Sequence, residues 1–107
     1  RLPLFPIVLH GASSISSDYV DMINNYGGKL EKAIGIPEEQ ITRAAEMAVC
    51  KINIASDGWI CALAHTRKIL SENPSAIDSR VVTLKIRPIL ANLYMHKMEI
   101  MRSTNRI

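Results

Sequence analysis

The sequence is short of the features that assign a chain to several large classes of protein. Aromatic side chains make up 5% of its 107 residues, and only two cysteines, Cys50 and Cys61, are present. Two cysteines without metal-ligand spacing predict reduced thiols of a cytoplasmic protein rather than a disulfide framework. No apolar run approaches the ~20 residues of a membrane span, and the cations behind the net charge of +3 are scattered among ten acidic residues. Membrane and nucleic-acid partners are therefore not expected, whereas a small anionic ligand suits this charge.

What the chain does contain is a series of apolar runs and amphipathic stretches. Residues 2–9 and 49–54 predict two strands, the first buried on both faces as in a parallel sheet. Ser16-Ser17-Asp18 offers an N-cap for a helix that ends at Gly27-Gly28. A second helix begins at Pro37 and keeps a narrow apolar face to Ala48. Helical spacing then predicts helices over residues 59–71 and 87–101. The resulting β-α-α-β-α-α order is typical of an α/β protein with a parallel sheet.

The length of the chain limits how much of such a fold it can build. Two strands do not make a parallel sheet covered on both faces, and a complete (β/α)₈ barrel needs ~250 residues. The sequence also starts at Arg1, directly before an apolar strand. We therefore expect residues 1–107 to be a segment of a single barrel domain, about a quarter of the barrel with its closing helices.

His10 directly follows the first predicted strand, at the edge where α/β barrels hold catalytic groups. A neutral imidazole there can bind a metal. Gly11, Ser13 and Ser14 form a small turn whose N–H and hydroxyl donors suit a phosphate. The alternative is an ordinary loop that leads to a helix cap at Ser17. Since a catalytic zinc normally takes three protein ligands, His10 is at most part of a site.

Three further residues are candidates for ligand binding. Asn53 ends the second strand and can hydrogen-bond a substrate oxygen, or else be a buried amide that satisfies a neighbouring loop. Ser56 and Asp57 either cap the next helix or belong to a phosphate site at its N-terminus. Arg80, predicted in a loop, either binds a phosphate or remains a solvated charge.

The other histidines and the methionines are less informative. His65 and His96 lack a partner at the i+3 or i+4 spacing that metal ligands use, so we interpret both as structural or surface groups. Met95, Met98 and Met101 are interpreted as core filler.

A series of short motifs occurs in a characteristic order. They are Pro6-Ile7-Val8-Leu9-His10-Gly11-Ala12-Ser13-Ser14, Tyr26-Gly27-Gly28, Gly35-Ile36-Pro37, Lys51-Ile52-Asn53-Ile54-Ala55-Ser56-Asp57, Arg67-Lys68, Ile77-Asp78-Ser79-Arg80 and Asn105-Arg106-Ile107. This series resembles the C-terminal third of the class II, zinc-dependent fructose-bisphosphate aldolases over nearly the whole chain. The sister tagatose-bisphosphate aldolases share most of the pattern, so the sugar epimer stays open.

The resemblance implies strands 7 and 8 of a homo-oligomeric (β/α)₈ barrel, a dimer or a tetramer. Such an enzyme reversibly cleaves fructose 1,6-bisphosphate to dihydroxyacetone phosphate and glyceraldehyde 3-phosphate, in glycolysis and gluconeogenesis. Zn²⁺ polarises the ketone in this reaction. The resemblance makes His10 the third zinc histidine and Asn53 the catalytic residue that contacts the enediolate oxygens.

The resemblance also implies which residues bind the phosphates. Gly11 and Ser13 match the positions that hold the ketone-side phosphate, with a monovalent cation, Na⁺ or K⁺, nearby. Ser56 matches a second donor to phosphate. Arg80 matches an arginine that reaches the other phosphate in a neighbouring subunit's site.

The chain departs from the family pattern at several positions. Ala55 stands where Asn-x-Asp-[Ser/Thr]-Asp has its first aspartate, Trp59 replaces a usual arginine and Ser16 a usual proline, and residues 81–86 lack the usual Lys-Tyr-Leu-x-Pro-Ala. A carboxylate expected to contact substrate is therefore missing. The remaining zinc histidines and the catalytic aspartate belong to earlier strands, so the chain alone is expected to be inactive. A non-catalytic remnant kept for packing or subunit association is the alternative.

Overall fold

A computed structural model describes residues 6–31, 35–47 and 49–106. Its elements are β1 (Ile7–Leu9), α1 (Ser17–Asn25), α2 (Glu38–Ala45), β2 (Val49–Ile52), α3 (Ser56–Glu72) and α4 (Arg80–Ile100). The predicted β-α-α-β-α-α order is confirmed. Residues 2–5 of the first predicted strand, Ala48 of the second predicted helix and Ile107 of the last motif lie outside the described residues.

β1 and β2 pair in parallel, with Leu9 opposite Ile52. The Asn53 N–H donates to the Leu9 carbonyl at 3.0 Å and extends the ladder beyond β2. The predicted parallel pairing is thus confirmed, and both strands end at the same edge. The expected burial of the first strand on both faces is wrong, because Ile7 is 43% and Val8 46% exposed. Parallel strands are buried only when layers cover both faces, and this two-stranded sheet is not covered in that way.

The helices enclose a small core. α3 packs on α1 and α4, while α2 packs on β2 and α4. The buried apolar side chains of the described residues are Ala12, Val20, Ile23, Ile41, Cys61, Ala64 and Ile69. The radius of gyration is 16.5 Å and the extents are 57 × 33 × 16 Å, compared with a radius of about 13 Å for a closed domain of this length. The chain therefore forms a thin slab whose apolar faces are only partly covered.

The predicted cap of the first helix is confirmed, and α3 begins earlier than predicted. Ser16 caps α1, since its Oγ accepts a hydrogen bond from the Asp18 N–H at 3.3 Å. α3 begins at Ser56 rather than at residue 59, and Ala55 at its N-cap makes no side-chain capping bond. The serine that departs from the family's usual proline therefore has a local structural role.

α4 begins at Arg80 rather than at residue 87. The carboxylate of Asp78 accepts a hydrogen bond from the Arg80 N–H at 2.9 Å, which satisfies an N–H group at the start of the helix. Pro88 consequently lies inside α4 and removes the hydrogen bond to the carbonyl of residue 84. Leu84 is 70% exposed, so this part of the helix is open to solvent.

Only one narrow face of α4 is covered. Met101 is half-buried, but Met95 and Met98 are exposed, so the core-filler interpretation is wrong for these two methionines. The reason is that, among the helices and strands that the structure describes, α4 packs only on α2 and α3. Among the described residues, no helix is long and apolar enough to cross a membrane.

Candidate functional site

The carboxyl ends of the two strands bring His10 and Asn53 together. His10 follows β1 and is exposed, and Asn53 follows β2. The Asn53 Nδ2 lies 3.0 Å from the His10 Nδ1. This pair is the site edge that the sequence predicts, formed because parallel strands end on the same side of a sheet.

The Asn53 amide decides which ring nitrogen of His10 is available to a ligand. A neutral imidazole has one N–H donor and one acceptor nitrogen, and an amide can present either NH₂ or its oxygen. With Nδ2 facing Nδ1, the amide donates to the Nδ1 lone pair and the ring proton lies on Nε2. The amide turned by 180° would instead accept a hydrogen bond from the Nδ1–H group and leave the Nε2 lone pair for a metal. Asn53 can therefore orient His10 as an outer-shell partner orients a metal ligand.

Residues 11–14, the serine turn, connect β1 to the segment before α1. Gly11 has a φ of +67°, a left-handed conformation that glycine adopts at no steric cost. The Ser13 carbonyl accepts a hydrogen bond from the Ile36 N–H at 2.9 Å. In the described part of the chain, no hydrogen bond engages the Ser13 N–H or hydroxyl. Ser13 therefore keeps both donors for a ligand.

Ser14 does not keep its donors, and the sequence interpretation of this residue needs correction. Its N–H donates to Asp57 Oδ1 at 3.1 Å, and its hydroxyl donates to the same oxygen at 3.4 Å. Asp57 is 2% exposed and therefore belongs to the interior. Asp57 binds the serine turn instead of capping its own helix, so Ser56 is left at the first position of α3.

Gly35 packs closely against the backbone at the end of the serine turn. A Cβ atom at position 35 would lie 2.6 Å from the Ile15 nitrogen and 2.7 Å from the Ser13 carbonyl oxygen. Both are backbone atoms that cannot rotate away, so only glycine fits at this approach. Sequence analysis names Gly35 only within the Gly35-Ile36-Pro37 motif, and its packing role has no local signal.

Arg80 is not brought to this edge. Its guanidinium forms an exposed ion pair with Asp78, with Nη2 2.6 Å from Oδ2. The hydrogen bonds from Arg80 hold the pKa of Asp78 below its usual value. Lys97, further along α4, contacts Ser14, and a helix rises 1.5 Å per residue. Arg80 therefore lies ~25 Å from the serine turn along the axis of α4.

Sequence analysis missed a buried polar group, which we call the Lys97 cluster: Ser14, Glu38, Asp57 and Lys97. Lys97 is 3% exposed. Its Nζ lies 2.9 Å from Asp57 Oδ1 and 3.1 Å from Glu38 Oε1, and it donates to the Ser14 hydroxyl. A sequence signal did exist, because Lys97 follows Leu93 at the i+4 spacing of the half-buried face of α4.

His96 extends the cluster at the surface. Its Nε2 lies 2.8 Å from Glu38 Oε2. Partial burial disfavours the Glu38 carboxylate, but the hydrogen bonds from His96 and Lys97 outweigh that effect and lower the Glu38 pKa. The interpretation of His96 as a surface or structural group agrees with this contact. His65 is also structural, since its Nδ1 contacts the Cys61 carbonyl at 2.8 Å within α3.

The donor set tests whether this chain can hold a metal. The ranges 6–31, 35–47 and 49–106 contain no group of three or more His, Cys, Asp or Glu side chains placed to hold a metal ion. A catalytic zinc normally takes three protein ligands. The described residues therefore do not form a zinc site by themselves, and the assignment of His10 as one ligand stays a prediction.

Comparison with known proteins gives matches to one family over most of the chain. The family model "Fructose-bisphosphate aldolase class-II" matches residues 1–106. A fructose-bisphosphate aldolase from Treponema pallidum is 47% identical over 107 residues, which are 99% of this chain and 32% of the relative. The Giardia intestinalis aldolase is 45% identical over 75 residues (70% of this chain, 23% of the relative). The Pseudomonas aeruginosa aldolase is 36% identical over 80 residues (75% and 23%).

The chain thus spans about a third or less of the length of these relatives. The family is a (β/α)₈ barrel family whose members are generally metal-dependent. Because the match includes both strands and all four helices, this chain belongs to the class II fructose-bisphosphate aldolase family.

Proposed function

We propose that this chain supplies strands 7 and 8 and the closing helices of a (β/α)₈ barrel. The parallel pairing of β1 and β2 fits neighbouring barrel strands. The exposure of Ile7 and Val8 fits strands that further barrel elements would cover. The 16 Å thickness of the slab also fits a wall of a barrel rather than a closed domain.

The proposed activity of the completed barrel is the reversible aldol cleavage of fructose 1,6-bisphosphate to dihydroxyacetone phosphate and glyceraldehyde 3-phosphate. The observation that carries this proposal is the contact of His10 with Asn53 at the strand edge, directly beside the serine turn. The ends of the two strands thereby bring together an imidazole that can bind a metal, an amide, and a turn whose donors are available to a ligand. Zn²⁺, when bound, would polarise the substrate carbonyl.

Each residue of the edge has a proposed role. His10 contributes one zinc ligand, and its partners come from the rest of the barrel. Asn53 orients the imidazole and donates a hydrogen bond to a substrate oxygen at the strand edge. Gly11 and Ser13 bind one phosphate through the serine turn, near a Na⁺ or K⁺ ion, and Ser56 adds a donor at the α3 N-terminus.

We further propose that the protein is a homo-oligomer in the cytoplasm. Arg80 supports the first part, because ~25 Å of α4 separates it from the serine turn of its own chain. From that position Arg80 would serve the other phosphate in a neighbouring subunit's site. Its ion pair with Asp78 is exposed, so a phosphate could replace the carboxylate.

A non-catalytic aldolase-like protein is the second candidate. Ala55 favours it, because this residue has no carboxylate to contact substrate and lies exposed at the N-cap of α3. The same barrel would then serve packing or subunit association without turnover.

A hybrid barrel separates the two candidates. The hybrid barrel is the Treponema pallidum aldolase with its matching segment replaced by the 107 residues of this chain. We expect aldol cleavage in a coupled assay and its loss with a chelator. A folded, zinc-loaded hybrid barrel without cleavage would favour the non-catalytic candidate.

His10→Ala in the hybrid barrel tests the assigned ligand. We expect it to lose both zinc and cleavage activity, because a three-ligand site loses one ligand. His65→Gln is the matched control, since His65 contacts the Cys61 carbonyl inside α3. Full activity and full zinc content in His10→Ala would refute the assignment of His10.

A further inference from the structure

Lys97 has no donor left for a ligand. Its ammonium contacts Asp57 Oδ1, Glu38 Oε1 and the Ser14 hydroxyl. An ammonium group has three donors and no acceptor, so these contacts use all of them. The side chain is also 3% exposed. Lys97 can therefore influence a bound molecule only through the residues that it contacts.

The Lys97 cluster joins four separate parts of the chain. Ser14 belongs to the serine turn, Glu38 begins α2, Asp57 lies in the first turn of α3, and Lys97 lies near the end of α4. Ser14 and Asp57 are 43 residues apart in sequence, and Ser14 and Lys97 are 83 apart. The contacts of the cluster therefore join these four parts of the chain through side chains that are far apart in sequence.

The cluster lies directly beside the proposed donors to phosphate. Ser14 follows Ser13, whose N–H and hydroxyl make no hydrogen bond within the described ranges. Asp57 follows Ser56, the first residue of α3. One acceptor, Asp57 Oδ1, receives the Ser14 N–H, the Ser14 hydroxyl and the Lys97 ammonium. Ser13 and Ser56 are therefore held at a fixed separation by the residues that follow them, Ser14 and Asp57.

A contribution to folding stability does not by itself explain a buried Lys97–Asp57 ion pair. Replacement of a buried ion pair by apolar side chains is often neutral or stabilising. Directional hydrogen bonds, in contrast, hold their partners in one arrangement, which a site that binds an anion through backbone N–H groups requires.

We infer that Lys97 is a positioning residue for phosphate binding: through Asp57 and Ser14 it holds the Ser13 and Ser56 donors in one arrangement. This inference rests on the proposed function for the identity of the ligand, a phosphorylated sugar. The positioning itself depends only on the contacts of the cluster.

Three variants of the hybrid barrel test the inference. Lys97→Met removes the ammonium. Lys97→Met combined with Asp57→Leu removes both buried charges, which avoids an unpaired carboxylate and keeps the protein folded. Lys68→Met is the control, because Lys68 is 43% exposed and its nearest carboxylate, on Glu72, is 4.0 Å away.

The measurements are KM for fructose 1,6-bisphosphate, competitive inhibition by inorganic phosphate, and zinc content. We expect Lys97→Met and the double variant to raise KM and the inhibition constant of phosphate at least about tenfold. A change of this size corresponds to the loss of one charge-assisted hydrogen bond. Zinc content should not change, since His10 does not contact the cluster. The control should match the unmodified hybrid barrel.

The double variant distinguishes positioning from a purely structural role. A structural role predicts that phosphate inhibition recovers together with stability when both charges are removed. Unchanged KM and phosphate inhibition in the stable double variant would overturn the inference.

Hydrogen exchange makes the test independent of turnover. Lys97→Met should speed amide exchange in the peptide covering residues 11–14 relative to the Lys68→Met control, and equal exchange would also overturn the inference. Absence of cleavage by the unmodified hybrid barrel counts against the proposed function instead.

Discussion

Removal of both members of the Lys97–Asp57 pair should destabilise the hybrid barrel less than the sum of the two single removals. The charged atoms lie 2.9 Å apart, and the two residues are 3% and 2% exposed. With an effective dielectric constant of ~20, their attraction is about 6 kcal/mol. Desolvation of each ion opposes this attraction by several kcal/mol, so the intact pair contributes little net stability.

The single variants leave a buried charge without its partner. Lys97→Met leaves the buried Asp57 carboxylate without its ammonium partner. Asp57→Leu leaves the Lys97 ammonium with one carboxylate partner, the partly exposed Glu38. Each should lower the free energy of unfolding by about 3–5 kcal/mol. Besides the ion pair itself, the double variant loses the two Ser14 hydrogen bonds to Asp57 and the Lys97 contacts with Ser14 and Glu38, at about 1 kcal/mol each.

Denaturant unfolding followed by circular dichroism measures the four free energies of this cycle. The single losses should sum to about 6–10 kcal/mol, whereas the double variant should lose only about 4 kcal/mol. Lys68→Met, which affects an exposed pair, should change stability by less than about 1 kcal/mol. Additive losses in the double variant would refute the reasoning, because they would mean that the two charges do not stabilise each other.

Three other changes have defined outcomes. Ala55→Asp in the hybrid barrel should raise kcat/KM for the bisphosphate by restoring a polar contact, and an unchanged or lower value would count against the proposed defect at this position. Gly35→Ala should weaken phosphate inhibition and lower stability by about 1–3 kcal/mol, because its Cβ would lie 2.6 Å from the Ile15 nitrogen; wild-type values for both would show that the serine turn does not need this approach. The lowered Glu38 pKa predicts that this carboxylate stabilises the fold above its ordinary pKa of 4.5 and that the stabilisation is lost as pH falls through the lower folded value. The unfolding midpoint of Glu38→Gln should accordingly lie below that of the unmodified protein at pH 6 and approach it in acid, and a constant difference would contradict the assignment.

Local patterns were enough to predict the elements and one edge of the candidate site. Gly27 ends the first helical segment with a φ of +86°, as a glycine after a helix predicts. His10 and Asn53 meet because each directly follows a strand and the strands are parallel. These predictions depend on residues close in sequence, together with one rule about parallel sheets.

Other predictions failed where a distant or unrecognised partner decided the outcome. Helical spacing predicts that the last helix begins at residue 87, but α4 begins at Arg80, whose N–H donates to the Asp78 carboxylate. Ser14 was expected to face a ligand, whereas Asp57 accepts both of its donors. Nothing within a few residues of Ser14 indicates this acceptor.

The sequence by itself determined the order of strands and helices, the parallel edge and the family, because turn residues, periodicity and ordered motifs are properties of short segments. Only the tertiary structure decided which polar groups form hydrogen bonds within the chain and which keep their donors for a ligand. Lys97 meets Ser14 across 83 residues, and Gly35 approaches the same turn through its lack of a side chain. Such contacts depend on how the helices pack, since most buried polar groups form hydrogen bonds with whichever partner the fold brings next to them.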